Sequence, residues 1–141
     1  MKRRRFQFVG KTRRGATIVE FAIVFPVFVA LMFFFFETWR YQQFQQAVDE
    51  AALEAARVAI LPGATVAQAQ AQGKKLLNGV GAPTATVNVS PSPITQSTDQ
   101  VTVTVSLPYA DVGMFFKYFA KSTVLTSTLT MDTENKRVGR L

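Results

Sequence analysis

The feature that most restricts what this chain can fold into is the run ATIVEFAIVFPVFVALMFFFF, residues Ala16 to Phe36. It holds one ionisable side chain, Glu20, in 21 residues. As a helix, at about 1.5 Å per residue, it measures roughly 30 Å, the thickness of a bilayer's hydrocarbon core. The apolar region of a secretory signal is shorter, ~7–15 residues, so the run reads as a membrane span or anchor. Burying it on all sides in a globular core would need more chain than the hundred or so residues that follow. Pro26 lies inside the run, where membrane helices tolerate it.

Charge is distributed around this run in a telling way. Seven basic residues (Lys2, Arg3, Arg4, Arg5, Lys11, Arg13 and Arg14) and no acidic ones precede Ala16. The rest of the chain carries nine of each sign, so the whole +7 resides in the first fourteen residues. That asymmetry is the positive-inside pattern, with the N-terminus cytoplasmic and the remainder across the membrane. No basic patch survives beyond the run, which argues against nucleic acid as a partner. The chain also lacks cysteine and histidine. Cysteine nucleophiles, Ser-His-Asp triads and His/Cys metal sites are therefore excluded. Asp99, Asp111, Asp132 and Glu134 are scattered without pairing for acid/base work. No cofactor, metal or catalytic site is expected.

Beyond Phe36 the sequence changes character without a break. Tyr41, Phe44, Val48, Ala51, Ala52, Ala55 and Ala59 recur at spacings of three and four, an amphipathic stripe. Joined to the apolar run, this predicts one helix from Ala16 to Leu61, with a hinge near Glu37 as the alternative. Thr65 can cap a second, short helix that Gly73 should weaken and Gly79 or Gly81 should end. From Ala82 the residues become β-branched and alternate. Ala85, Val87 and Val89 share one face, as do Val101, Val103, Val105 and Leu107, and Leu125, Leu129 and Met131. Each set reads as a half-buried antiparallel strand. The predicted fold is α+β: a long N-terminal helix, half membrane and half amphipathic, packed on a three-stranded antiparallel sheet with a short accessory helix. Residues 1–15 form a basic leader, 16–36 the transmembrane helix and 37–141 an exported domain. The connection between the last two strands, YADVGMFFKYFAK, is unusually apolar, and Phe115, Phe116, Tyr118 and Phe119 make it a candidate interaction patch.

A carboxylate inside the apolar run is costly, about 2.5–3.5 kcal/mol at a bilayer's centre on insertion scales. Glu20 lies near one end, so a side chain snorkelling to the interface is one reading of it. The local context offers another. The stretch RRGATIVEF, Arg13 to Phe21, resembles the processing site of tight-adherence (Flp) prepilins. The continuation through Glu37 resembles the TadE-like minor pilins or pseudopilins of that system. The resembling positions are Val19, Glu20, Phe21, Ala22, Pro26 and Glu37. Phe33 to Phe36 depart from the pattern, which commonly has a small residue shortly before the last glutamate.

This resemblance implies a pilin-like fold and cleavage between Gly15 and Ala16 by a membrane prepilin peptidase. Ala16 would become the new N-terminus. Its amine would pair with Glu20 of a neighbouring subunit, next to Phe21. The partners implied are the peptidase, other pilin subunits, the inner-membrane assembly platform and the lipid bilayer. The location implied is a single pass in a bacterial inner membrane, then the pilus at the cell surface. The function implied is a minor structural subunit built into, or priming, an adhesive pilus. An uncleaved, signal-anchored periplasmic binding or scaffold module is the alternative.

Overall fold

A computed structural model describes residues 14–95, 97–115 and 121–133 of the chain, with Arg14 described by its backbone alone. The expected α+β arrangement is present. In chain order the elements are helix α1 (Arg14–Ala59), helix α2 (Val66–Gly79), strands β1 (Thr86–Ser90) and β2 (Gln100–Pro108), the single turn α3 (Tyr109–Val112) and strand β3 (Val124–Asp132). The chain divides into two compact units, one up to Phe35 and one from Phe36 onward.

Helix α1 is assigned as helix throughout, past both Pro26 and Glu37. It stops two residues before the expected Leu61. The Leu61 amide bonds back to Val58 rather than to Arg57, a tightened last turn, and Gly63 then adopts φ +78°. The positive φ at Gly63 favours glycine, which has no Cβ to clash there.

The three strands form one antiparallel sheet in the order β1-β2-β3. Register aligns Val89 with Val103 and Leu129, and Leu107 with Leu125. One face therefore carries Val87, Val89, Val101, Val103, Val105, Leu107 and Leu125, all buried. The opposite face carries hydroxyls, with Thr102 bonded to Thr130 at 2.9 Å and Thr104 to Thr128 at 3.3 Å. Period-two alternation becomes one dry and one wet face in this way.

What covers the dry face is a stripe of small residues. Phe44, Val48, Ala51, Ala52, Ala55, Ala56 and Ala59 of α1 join the strand residues in a single buried cluster. Alanine permits close backbone approach, and the second helix exploits it. Gly73 of α2 sits where an added Cβ would lie 3.2 Å from Val87 Cγ2, 3.3 Å from the Ala51 carbonyl oxygen and 3.3 Å from Ala55 Cβ. Gly73 thus has a packing role that helix propensity alone does not show. Its lower helix propensity accompanies a close approach of α2 to α1 and β1, at distances tighter than most Cβ contacts. The start of α2 is as expected: Thr65 and Gln68 form a capping box.

Candidate functional site

Two groups of chemically distinctive residues stand out, one in each unit. The first is the head of α1. Gly15 has no heavy atom within 4 Å of where a Cβ would be. Ala16 and Glu20 follow, one helical turn apart and so on one face. Both are exposed, and so are the apolar residues beyond them, including Val19, Phe21, Ala22 and Pro26. Phe21 stacks on Phe25, with ring centroids 5.4 Å apart. Ala22 and Pro26 are coupled by geometry: proline has no N–H, so it cannot supply the bond that the Ala22 carbonyl would otherwise accept. By length and composition the helix can cross a membrane.

The second group centres on Glu37, which is 6 % exposed. A buried carboxylate is tolerable only with donors around it, and this one has them. Oε1 accepts from the Tyr109 hydroxyl at 2.6 Å and from the Met114 amide at 3.2 Å, while Oε2 accepts from the Phe115 amide at 3.1 Å. One turn along the helix, Arg40 Nε donates to the Val112 carbonyl at 2.7 Å. The guanidinium also lies over the Phe44 ring, 5.3 Å from its centroid. The Tyr41 and Tyr109 rings stand 5.5 Å apart. Helix α1 thus grips the segment 109–115 through Glu37, Arg40 and Tyr41 on adjacent turns.

The gripped segment is shaped to be held. The Tyr109 amide bonds the Thr123 carbonyl at 2.9 Å, which ties the two ends of the 109–123 connection together. The Gly113 amide closes α3 on the Tyr109 carbonyl at 2.8 Å. A Cβ on Gly113 would lie 3.0 Å from the Tyr109 ring and 3.2 Å from Glu37 Oε1, so glycine is what allows the carboxylate to reach the amides beyond it. Burial pushes the Tyr109 hydroxyl far above the ordinary tyrosine range. The hydrogen bond to Glu37 and that carboxylate's charge add to the effect, and Arg40 opposes it.

Residues 15–57 match the TadE-like protein family. The TadE-like segment thus begins at Gly15 and runs through Glu20, Pro26 and Glu37 into the alanine stripe. Comparisons with curated proteins and with solved structures return no match. Among the described residues one apolar helix, near the N-terminus, fits a single-pass membrane anchor by length and composition.

Among the sequence-derived candidates, Gly15, Ala16 and Glu20 fall within little more than one turn. Val19, Phe21, Ala22 and Pro26 extend along the same exposed helix. Glu37 is different: it belongs to the second unit and points into the clamp. Phe115, assigned to a separate patch, is bonded to Glu37 through its backbone and leaves its side chain 41 % exposed. Phe116, Tyr118 and Phe119 lie outside the described residues, as do residues 1–13 of the basic leader. Tyr109, Gly113 and Arg40 were not singled out from sequence. The available signal was a tyrosine closing an apolar strand, since a buried hydroxyl there demands an acceptor.

Proposed function

We propose that this protein is a minor pilin-like subunit of a tight-adherence pilus, cut after Gly15 and then assembled into the pilus or used to prime it. The observation that carries this reading is the placement of Gly15, Ala16 and Glu20 at the head of a helix whose apolar surface is open to partners. Cleavage by a prepilin peptidase would create a cationic amine at Ala16. Glu20 of an adjacent subunit is a fitting counter-charge, because charges removed from water are tolerable when paired. The same cut would remove all seven leader charges and leave a chain with nine basic and nine acidic residues. A neutral subunit has lost what held its N-terminus on the cytoplasmic side and can be extracted into a helical bundle. Aromatic side chains of the helix would supply contact area there. The folded domain beyond Phe36 is more than a major subunit of this class requires, which favours a minor role.

The deciding experiment is intact mass and N-terminal sequencing of the protein from native membranes that contain an active prepilin peptidase. A species beginning Ala-Thr-Ile-Val-Glu is expected. A species that retains residues 1–15 would overturn the reading and leave a signal-anchored periplasmic module.

A further inference from the structure

The two outer edges of the sheet carry main-chain groups that the sheet itself does not use. Two bonds fix which way each residue of β3 turns them: the Tyr109 amide donates to the Thr123 carbonyl and the Thr133 amide to the Asp99 carbonyl, both at 2.9 Å. Both pairs continue the β2–β3 register, so the odd-numbered residues of β3 bond inward. Thr126, Thr128 and Thr130 therefore turn their amides and carbonyls outward. By the same alternation the even-numbered residues of β2 serve β1. Thr86, Asn88 and Ser90 bond inward, and Val87 and Val89 turn outward. Among the described residues no strand lies beyond either edge.

Neither edge carries the usual guards. Residues 122–131 and 85–90 hold no ionisable residue and no proline, the groups that blunt the edges of solitary sheets. The dry face is also covered unevenly. Helix α2 lies against β1, with Gly73 beside Val87. At the other side of the sheet, Leu129 and Met131 of β3 are only partly buried.

We propose that β3 of one copy pairs in parallel with β1 of the next, so that the sheet continues from copy to copy. Both strands are antiparallel to β2, so a sideways repeat brings them together without turning either chain over. In such a repeat Thr128 falls opposite Asn88 of the next copy, because both stand level with Thr104 within one copy. The hydrogen-bonding directions then agree. In a parallel ladder an outward-turned residue bonds the two neighbours of the residue opposite it. Those neighbours of Asn88 are Val87 and Val89, the outward-turned pair. Wet face continues wet face, and dry continues dry. Helix α2 of the next copy, about 10 Å across against a strand spacing of ~4.8 Å, overhangs β3 and covers Leu129 and Met131. The occupant is a second copy because one molecule carries both halves of the joint, matched in direction and face, and two uncharged edges meet without repulsion. The contact is heterologous and so propagates instead of closing. It concerns the unit from Phe36 onward alone, and its outcome is independent of the processing experiment above.

The absence of cysteine makes the joint measurable on the full chain. Thr128→Cys and Asn88→Cys chains are reconstituted in phosphatidylethanolamine/phosphatidylglycerol vesicles, separately and mixed, at a high ratio of protein to lipid. Successive copies lie three strand spacings apart, so like positions are separated by roughly 14 Å. A bis-maleimide shorter than that separation is then added. The expected result is cross-linked dimer in the mixture, little from either chain alone, and a ladder of higher species from a chain carrying both changes. Thr126→Pro removes an outward amide and leaves the bonds to β2 in place. It should abolish the cross-link without lowering the thermal melt. Thr128→Cys alone cross-linking as well as the mixture would overturn the proposal in favour of symmetric β3 pairing. An absence of cross-links in every sample would also overturn it, the edges then being covered by another partner or by the chain itself. So would a Thr126→Pro chain that cross-links as before.

Discussion

The Tyr109 hydroxyl donates a 2.6 Å hydrogen bond to Oε1 of Glu37, a residue 72 positions earlier in the chain. This bond ties the end of β2 to the turn of α1 that follows the apolar run. Two main-chain amides also donate to the carboxylate, so a glutamate directly after the apolar run serves the fold as an internal anchor.

Removing the hydroxyl leaves the carboxylate short of its strongest donor. Tyr109→Phe keeps the ring against Tyr41 and is expected to cost about 1–3 kcal/mol, the usual range for stranding a buried polar group. Urea unfolding of the full chain in detergent micelles measures it. Glu37→Ala should cost at least as much, since it frees the hydroxyl and both amides together. A loss below measurement error in both variants would show that the clamp is not a stabilising element.

Alkali should release the same bond. Tyr109 has a folded-state pKa raised above the ordinary tyrosine value near 10. The stability this represents is complete below about pH 10 and is lost as pH rises beyond it, because the unfolded chain gives up the proton first. Ultraviolet titration of tyrosinate should therefore show a phenol that ionises well above pH 10 in the folded protein. Glu37→Gln should bring that phenol downward.

Gly113→Ala tests the close approach. The added methyl meets the Tyr109 ring and Glu37 Oε1 at contact distances tighter than normal packing allows. The cost expected is about 1–3 kcal/mol, typical of overpacking.

Gly73→Ala sets two effects against each other. Alanine gains about 1 kcal/mol of helix propensity over glycine. Against that, the methyl would press on an α1 carbonyl, an α1 methyl and a strand side chain, none of them on a flexible tip. Overpacking at ~1–3 kcal/mol outweighs the gain, so a net loss near 1 kcal/mol is expected and a larger one for Gly73→Leu. Thermal melts of the two variants check the order.

Glu20→Ala bears on assembly. The variant should insert and be cleaved normally but should not enter pili, because the Ala16 amine loses its counter-charge. Pilus fractions probed for the subunit provide the readout, and wild-type incorporation would reject the pairing mechanism. Gly15→Leu should block cleavage and hold the precursor in the membrane. The open space around Gly15 means that a folding defect would not confuse that result.

Much of this architecture is written in local patterns. The 21-residue apolar run could only be a helix of membrane length, and the threonine–valine alternation of β2 could only be a strand with one dry face. The alanine stripe marked the face of α1 that meets the sheet, and Thr65 marked the start of α2. These are properties of neighbours three, four or two positions apart, where period and capping decide the outcome. Gly15, Ala16 and Glu20 are likewise a local pattern, a compact motif within little more than one turn. Glu37 was visible as a motif position, but its role was not. That role depends on Tyr109 and the amides of Met114 and Phe115, more than seventy residues away, and nothing local reveals which carboxylate a distant hydroxyl will meet. The packing role of Gly73 was hidden on similar grounds. Propensity is a local quantity, whereas the contact with Ala51, Ala55 and Val87 exists only once three elements have packed. Sequence periodicity determined the elements and the faces they would bury. Tertiary packing decided which polar group anchors them and at what height along the helix, because only the folded chain brings donor, acceptor and the glycine between them into reach.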